Sequence, residues 1–187
     1  MSARGLVDAL LAVAWVLLVA DLLRASARAG VSPVRRAIGL VLLAVMLAAG
    51  SILEGAAGGR LVWHPAAAVL GVALAWLGLG LYVRARQALG GGWSPIVAPP
   101  EDAPLVESGP YAHVRHPLYA AILLMAAGTL AAHVSRATIA AGVGFAVGIA
   151  LKGRAEDREL ARRFGERWRA YAARVPAFVP RLNRGRP

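Results

Sequence analysis

Cysteine is absent from the 187 residues, which excludes disulfides, thiolate metal sites and a cysteine nucleophile while leaving the redox compartment open. Charge is scarce as well: 17% of residues are Asp, Glu, Lys or Arg, against 58% apolar ones. Together with a positive mean hydropathy, this is too greasy for an ordinary soluble domain, and the length suits one domain, residues 1–187. Acids are the scarcer sign, 10 against 21 Lys and Arg, for a formal charge of +11. On a soluble domain that excess would point to nucleic acid. Here the basic residues lie between and after apolar runs, so they read as membrane topology signals and no nucleic-acid partner is expected. A signal-cleavage site is also missing: the first apolar run ends in Asp21-Leu-Leu-Arg24, with no small-residue pattern, and is read as retained.

What is present is a series of apolar runs. Those over 6–23 and 37–53 each approach the roughly 20 residues that a bilayer core requires of a helix. A third, over 66–83, opens after Trp63-His64-Pro65 and closes at Tyr82 with Arg84 and Arg86 behind it, which places interfacial aromatics at both ends. Two shorter runs, 118–132 and 137–151, are separated only by His133-Val-Ser-Arg136 and read as a tightly turned helical hairpin. The expectation is an all-α integral membrane bundle of about five transmembrane helices. Residues 156–173 then carry Leu160, Phe164, Trp168 and Tyr171 three or four apart, a single apolar stripe. They predict a separate C-terminal amphipathic helix on the cytoplasmic membrane face. Arg24, Arg28, Arg35, Arg36, Arg84, Arg86 and the basic tail from Lys152 fall on alternate loops. By the positive-inside rule the N-terminus is outside the cytoplasmic membrane and the C-terminus inside. Asp8 and Asp21, near the ends of the first run, are expected at headgroups, His64 is read as interfacial, and His133 is placed in the tight outer turn, far from the candidate site. The small-residue spacing of Gly71 to Gly78, and of Gly142, Gly144 and Gly148, favours close helix packing and is compatible with a homodimer.

Two polar groups stand where helices meet the cytoplasmic interface. One is Gly109-Pro-Tyr-Ala-His-Val-Arg-His-Pro-Leu-Tyr119, in which Gly109-Pro110 sets a turn and Pro117 suits the first turn of the next helix. The other is Lys152, Arg154, Glu156 and Asp157, after the hairpin. Each alone has an ordinary structural explanation, as headgroup anchors or first-turn acids. The two ends of one hairpin, however, would bring them together as a polar cup against an apolar bundle.

The ordered motifs Leu89-Gly-x-x-Trp93-Ser, Gly109-Pro-Tyr-x-x-Val-Arg-His-Pro-x-Tyr119, Glu156-Asp-x-x-Leu160, Phe164-Gly-x-x-Trp-x-x-Tyr171-x-x-x-Val175 and Pro180 resemble the isoprenylcysteine carboxyl methyltransferase and phospholipid methyltransferase group. The resemblance covers 87–180, so the chain divides into a three-helix part, 1–86, and a catalytic part, 87–187. It implies a pocket for S-adenosylmethionine, open to the cytosol and needing no metal. Tyr111, His113, Arg115, His116, Pro117 and Tyr119 would line the cofactor, and Glu156 with Asp157 would meet its polar end. Arg154, Glu156 and His116 are the implied catalytic set, with Arg154, or secondarily Lys152, holding an anionic acceptor. Asp157 stands where the family usually has a second Glu, Trp168 where Tyr is common, and Ala121 where Gly often follows His-Pro.

A sulfonium methyl is already activated, so such an enzyme has mainly to align an in-line displacement and exclude water. A carboxylate acceptor attacks without losing a proton and needs only a cation to place it. A phospholipid amine or a small thiol would need a base, with His116 or Glu156 the first candidates. The lipophilic carboxylate is the favoured acceptor, and a noncatalytic scaffold retaining the fold is the competing reading. A Rossmann turn, the soluble route to the same cofactor, is lacking: Gly78-Leu-Gly80 falls inside a membrane run and Gly90-Gly-Gly92 follows no strand. High Ala, Arg and Gly content points to a GC-rich bacterial genome.

Overall fold

The computed structural model describes residues 2–28, 63–90 and 104–181. Their regular structure is entirely helical: α1 (Ala3–Arg28), α2 (Pro65–Leu89), a short 3-10 turn (Gly109–Ala112), α3 (Pro117–Ala132) and α4 (Arg136–Arg174). Three of these, α1, α2 and α4, are long and apolar enough to cross a membrane. At 16 residues, α3 reaches about 24 Å at 1.5 Å per residue, somewhat short of a hydrocarbon core. The expected span 37–53 lies outside the described residues, as does Trp93.

The hairpin expected over 118–151 is present, and its turn has a specific lock. Ser135 caps α4 by accepting from the Thr138 backbone N–H at 3.1 Å, while the Thr138 hydroxyl accepts from the Ser135 N–H at 2.8 Å. This reciprocal pair satisfies two donors that a helix start otherwise leaves without partners.

The amphipathic segment does not begin as a separate helix at 156. From Arg136 the helix runs without interruption through Leu151 and Glu156 as far as Gly165, because Lys152, Arg154, Ala155 and Glu156 are good helix formers with no Pro or capping signal among them. The break comes at Gly165 itself, whose φ of 54° and ψ of −126° lie outside helical geometry in a region open to glycine. The apolar stripe itself is used: Trp168, Tyr171 and Val175 pack with Leu105, and Leu160 and Phe164 flank them.

The bundle is knit most closely between α2 and α3, where glycines let backbone meet backbone. A Cβ on Gly78 would sit 2.7 Å from the Ala121 carbonyl oxygen, and one on Gly128 would sit 2.8 Å from the Ala75 nitrogen. Gly71 and Gly128 oppose each other in the same seam. On the other side, α1 is held by polar contacts as well as by Leu11, Ala14 and Leu18. Asp8 faces His133 at 3.2 Å, the Trp15 indole donates to Thr129 Oγ1 at 3.0 Å, and Asp21 accepts from the Tyr82 hydroxyl at 2.9 Å with Arg86 at 3.6 Å. Asp8 and Asp21, near the two ends of α1, thus each find a partner on a neighbouring helix or turn, which lowers the cost of a polar group beside lipid.

Candidate active site

The site is built where α3 begins. Gly109, with φ of 61°, turns the chain, and Pro110 opens the 3-10 turn that buries Tyr111. Pro117 then sets the first turn of α3 and bars His116, the residue before it, from helical geometry. His116 therefore serves as N-cap through its carbonyl, which accepts from Ala120 N–H at 2.9 Å, while its own N–H is free to donate elsewhere.

That N–H, with its neighbour, holds the C-terminal segment. Arg115 N–H donates to Pro176 O at 2.8 Å and His116 N–H to Ala177 O at 2.9 Å. The Arg115 guanidinium continues the clasp through Nη1 to Val175 O at 2.7 Å and to Ala172 O at 3.2 Å. Its other edge meets Asp157, Nη2 to Oδ2 at 2.9 Å, in the forked geometry that suits arginine to a carboxylate. Arg115 is thus the hub joining the pre-α3 loop, the outer half of α4 and the chain after α4.

His116 is buried, with 4% of its surface exposed, and its Nε2 lies 2.7 Å from Asp157 Oδ1. Burial opposes ionisation of Asp157, but the hydrogen bonds from His116 and Arg115 outweigh it and hold the carboxyl at about 2. Asp157 is therefore an acceptor at neutral pH, so Nε2 carries the hydrogen and Nδ1 is the second ring nitrogen in play. Nδ1 faces Glu156 Oε2 at 3.9 Å, too long for a hydrogen bond. The Glu156 side chain keeps 42% of its surface exposed. The rings of Tyr119 and Phe178 pack on the imidazole at 5.6 Å and 5.5 Å between centroids. Lys152 Nζ lies 5.9 Å from the Tyr119 ring centre. Burial, reinforced by the negative charge of Glu156, pushes the Tyr111 phenol well above its usual range. Its carbonyl accepts from the buried Tyr171 hydroxyl at 2.7 Å.

Of the residues singled out in the sequence, the structure assembles Arg115, His116, Pro117, Tyr119, Glu156 and Asp157 at one junction, with Tyr111 beside them. His113 and Arg154 are exposed and lie outside the His116 hydrogen-bond network. Two participants escaped the motif reading. Phe178 lies in an irregular stretch with no periodicity to mark it. Gly153 is buried because a Cβ there would stand 2.7 Å from Phe178 Cζ; a glycine within a basic stretch carries no such signal. Among the described residues no group of three or more His, Asp or Glu side chains is arranged to hold a metal.

Residues 68–162 match the isoprenylcysteine carboxyl methyltransferase (ICMT) family, just over half of the chain and the stretch from α2 to the outer half of α4. The chain belongs to this family. It is a family of membrane methyltransferases, in agreement with the three apolar helices of membrane-crossing length. Curated relatives carry names of another kind. The chain is 39% identical over 119 residues to the cobalt-zinc-cadmium resistance protein CzcN of Cupriavidus metallidurans. It is 33% identical over 120 residues to the nickel-cobalt-cadmium resistance protein NccN of Alcaligenes xylosoxydans xylosoxydans. Each match covers 62% of this chain, and the chain spans about half the length of these relatives, 48% and 49%.

Proposed function

We propose that the chain transfers the methyl group of S-adenosylmethionine to a lipophilic acceptor at the cytoplasmic face of the membrane. The observation that carries this reading is the junction at His116, where a half-exposed carboxylate, an imidazole and aromatic rings stand together at the end of an apolar hairpin. These groups suit the cofactor: Glu156 offers a carboxylate to its ammonium or sulfonium charge, and the Tyr119 and Phe178 rings offer faces to a cation or to adenine. Tyr111, Arg115 and Pro117 support the same wall, with His113 at its exposed rim. When bound, the cofactor supplies a methyl carried on a positively charged sulfur, which leaves alignment and exclusion of water to the protein.

The acceptor we favour is a carboxylate on an isoprenoid or other lipid, which needs a cation to place it and no base. Both basic candidates are exposed, but Lys152 has the better position, because its ammonium already lies over the Tyr119 ring. The His116–Asp157 pair favours a second reading. With Nε2–H committed to Asp157, Nδ1 is the ring nitrogen that would take a proton from an amine or thiol acceptor, a step that a carboxylate does not require.

The deciding experiment is calorimetric titration of detergent-purified protein with S-adenosylmethionine and S-adenosylhomocysteine. Saturable binding, lost in His116→Ala and weakened in Glu156→Ala, is the expected result. Folded protein that binds neither would leave the noncatalytic scaffold. Labelled cofactor offered with a prenylated or lipid carboxylic acid, a phospholipid amine and a small thiol then separates the acceptors.

A further inference from the structure

The hydrogen bond from Nε2 to Asp157 holds one edge of the His116 ring, and the plane of the imidazole, hence the direction of Nδ1, depends also on the rings packed against it. Tyr119 lies at 28° to it. Phe178 is the second, its ring 5.5 Å from the imidazole at an interplanar angle of 31°. It fits there because position 153 is glycine: an added Cβ would lie 2.7 Å from Phe178 Cζ and 3.5 Å from His116 Cδ2. Phe178 is not simply filling a core. It is only half-buried, and the next residue, Val179, is 74% exposed. The segment that carries it is tied down by main-chain bonds from Arg115 and His116 themselves, to Pro176 and Ala177.

We propose that Phe178, seated in the notch left by Gly153, is a positioning residue for His116, and that the strap 175–180 exists to hold its ring against the imidazole. The inference rests on the methyltransferase reading above for its consequence, but not for its geometry. It predicts that enlarging residue 153 displaces the Phe178 ring and turns the imidazole, and that removing the ring at 178 turns it as well.

The test compares the full chain, Gly153→Ala, Phe178→Leu and the double variant. The ring-nitrogen resonances of His116, assigned by their loss in His116→Asn, are followed together with affinity for S-adenosylhomocysteine. Gly153→Ala should shift the His116 signals and weaken binding by about tenfold or more, since small misplacements at a reacting site are costly. The double variant should stay shifted and weakened, because it too lacks the ring that sets the plane, and Phe178→Tyr, which keeps the ring, should keep the parent's His116 signals. Unmoved His116 signals in Gly153→Ala and Phe178→Leu, or a folded double variant with the parent's signals and affinity, would overturn the proposal. If Gly153→Ala does not fold, the Phe178→Leu signals decide alone. If the parent protein binds no S-adenosylhomocysteine, the methyltransferase reading falls, and the resonances still decide whether Phe178 sets the ring.

Discussion

The seam between α2 and α3 and the junction around His116 are both close contacts, made by opposite means. The seam is a matter of shape: Gly71, Gly78 and Gly128 remove side chains so that backbones touch, and dispersion with weak backbone contacts supplies the attraction. The junction is a matter of charge and direction: Arg115 and His116 converge on Asp157 and grip main-chain carbonyls after α4. Where lipid is the solvent on all sides, apolar burial does little to join helices, so a rigid frame is made from small residues. Apart from the contacts that hold α1, the polar groups gather at the end of the bundle where chemistry is proposed.

The sharpest way to break the comparison is to fill the seam. Gly128→Val should cost about 3 kcal/mol or prevent folding, because the atoms it meets on Gly71 and Ala75 are backbone and have no rotamer to retreat into. Thermal unfolding in detergent would measure this, and an unchanged midpoint would show that the helices can part without loss. Arg115→Met acts on the other contact and should cost about 2 kcal/mol, the worth of hydrogen bonds made by a charged group. Limited trypsin digestion should then cut faster at Arg174 or Arg181 as the strap loosens.

A third substitution probes how the two regions are linked. Gly165→Ala, where φ is 54° and ψ is −126°, should cost about 1.5 kcal/mol through backbone strain. It should also disturb the packing of Trp168 and Tyr171 more than anything in the seam, which near-ultraviolet circular dichroism would report. The pH dependence is smaller. Asp157 is held below its ordinary value near 3.8, at about 2, so the stability it contributes is complete above pH 4 and is lost as pH falls from about 4 to about 2. Asp157→Asn should flatten the acid limb of the stability curve in that window and leave the seam's contribution untouched.

Much of this was legible in the sequence. Apolar runs and their prolines located α1, α2 and the hairpin, and the His-Pro and Glu-Asp motifs named most of the junction, because turn chemistry and charge leave local marks. The continuity of α4 was misread. A change from apolar to polar composition at Lys152 marks the edge of the bilayer, not the end of a helix, and nothing between Leu151 and Glu156 stops propagation. Gly153 and Phe178 were invisible for a different reason. Their meaning is a distance between two elements remote in sequence, and neither residue type announces it.

Not every glycine pattern is a seam, and the smallest predicted effect shows why. Gly144 and Gly148 in α4 have the same small-residue spacing as the seam, yet a Cβ at either would meet nothing within 4 Å among the described residues. Val143, Val147 and Leu151 beside them are exposed. With no contact to lose, Gly144→Ala and Gly148→Ala should gain the helix propensity of alanine, about 0.5 kcal/mol each. A loss of stability or of activity in either would mean that another helix packs on this face, from elsewhere in the chain or from a second copy. Cross-linking from position 147 would then show which, since only a second copy yields a product of twice the mass.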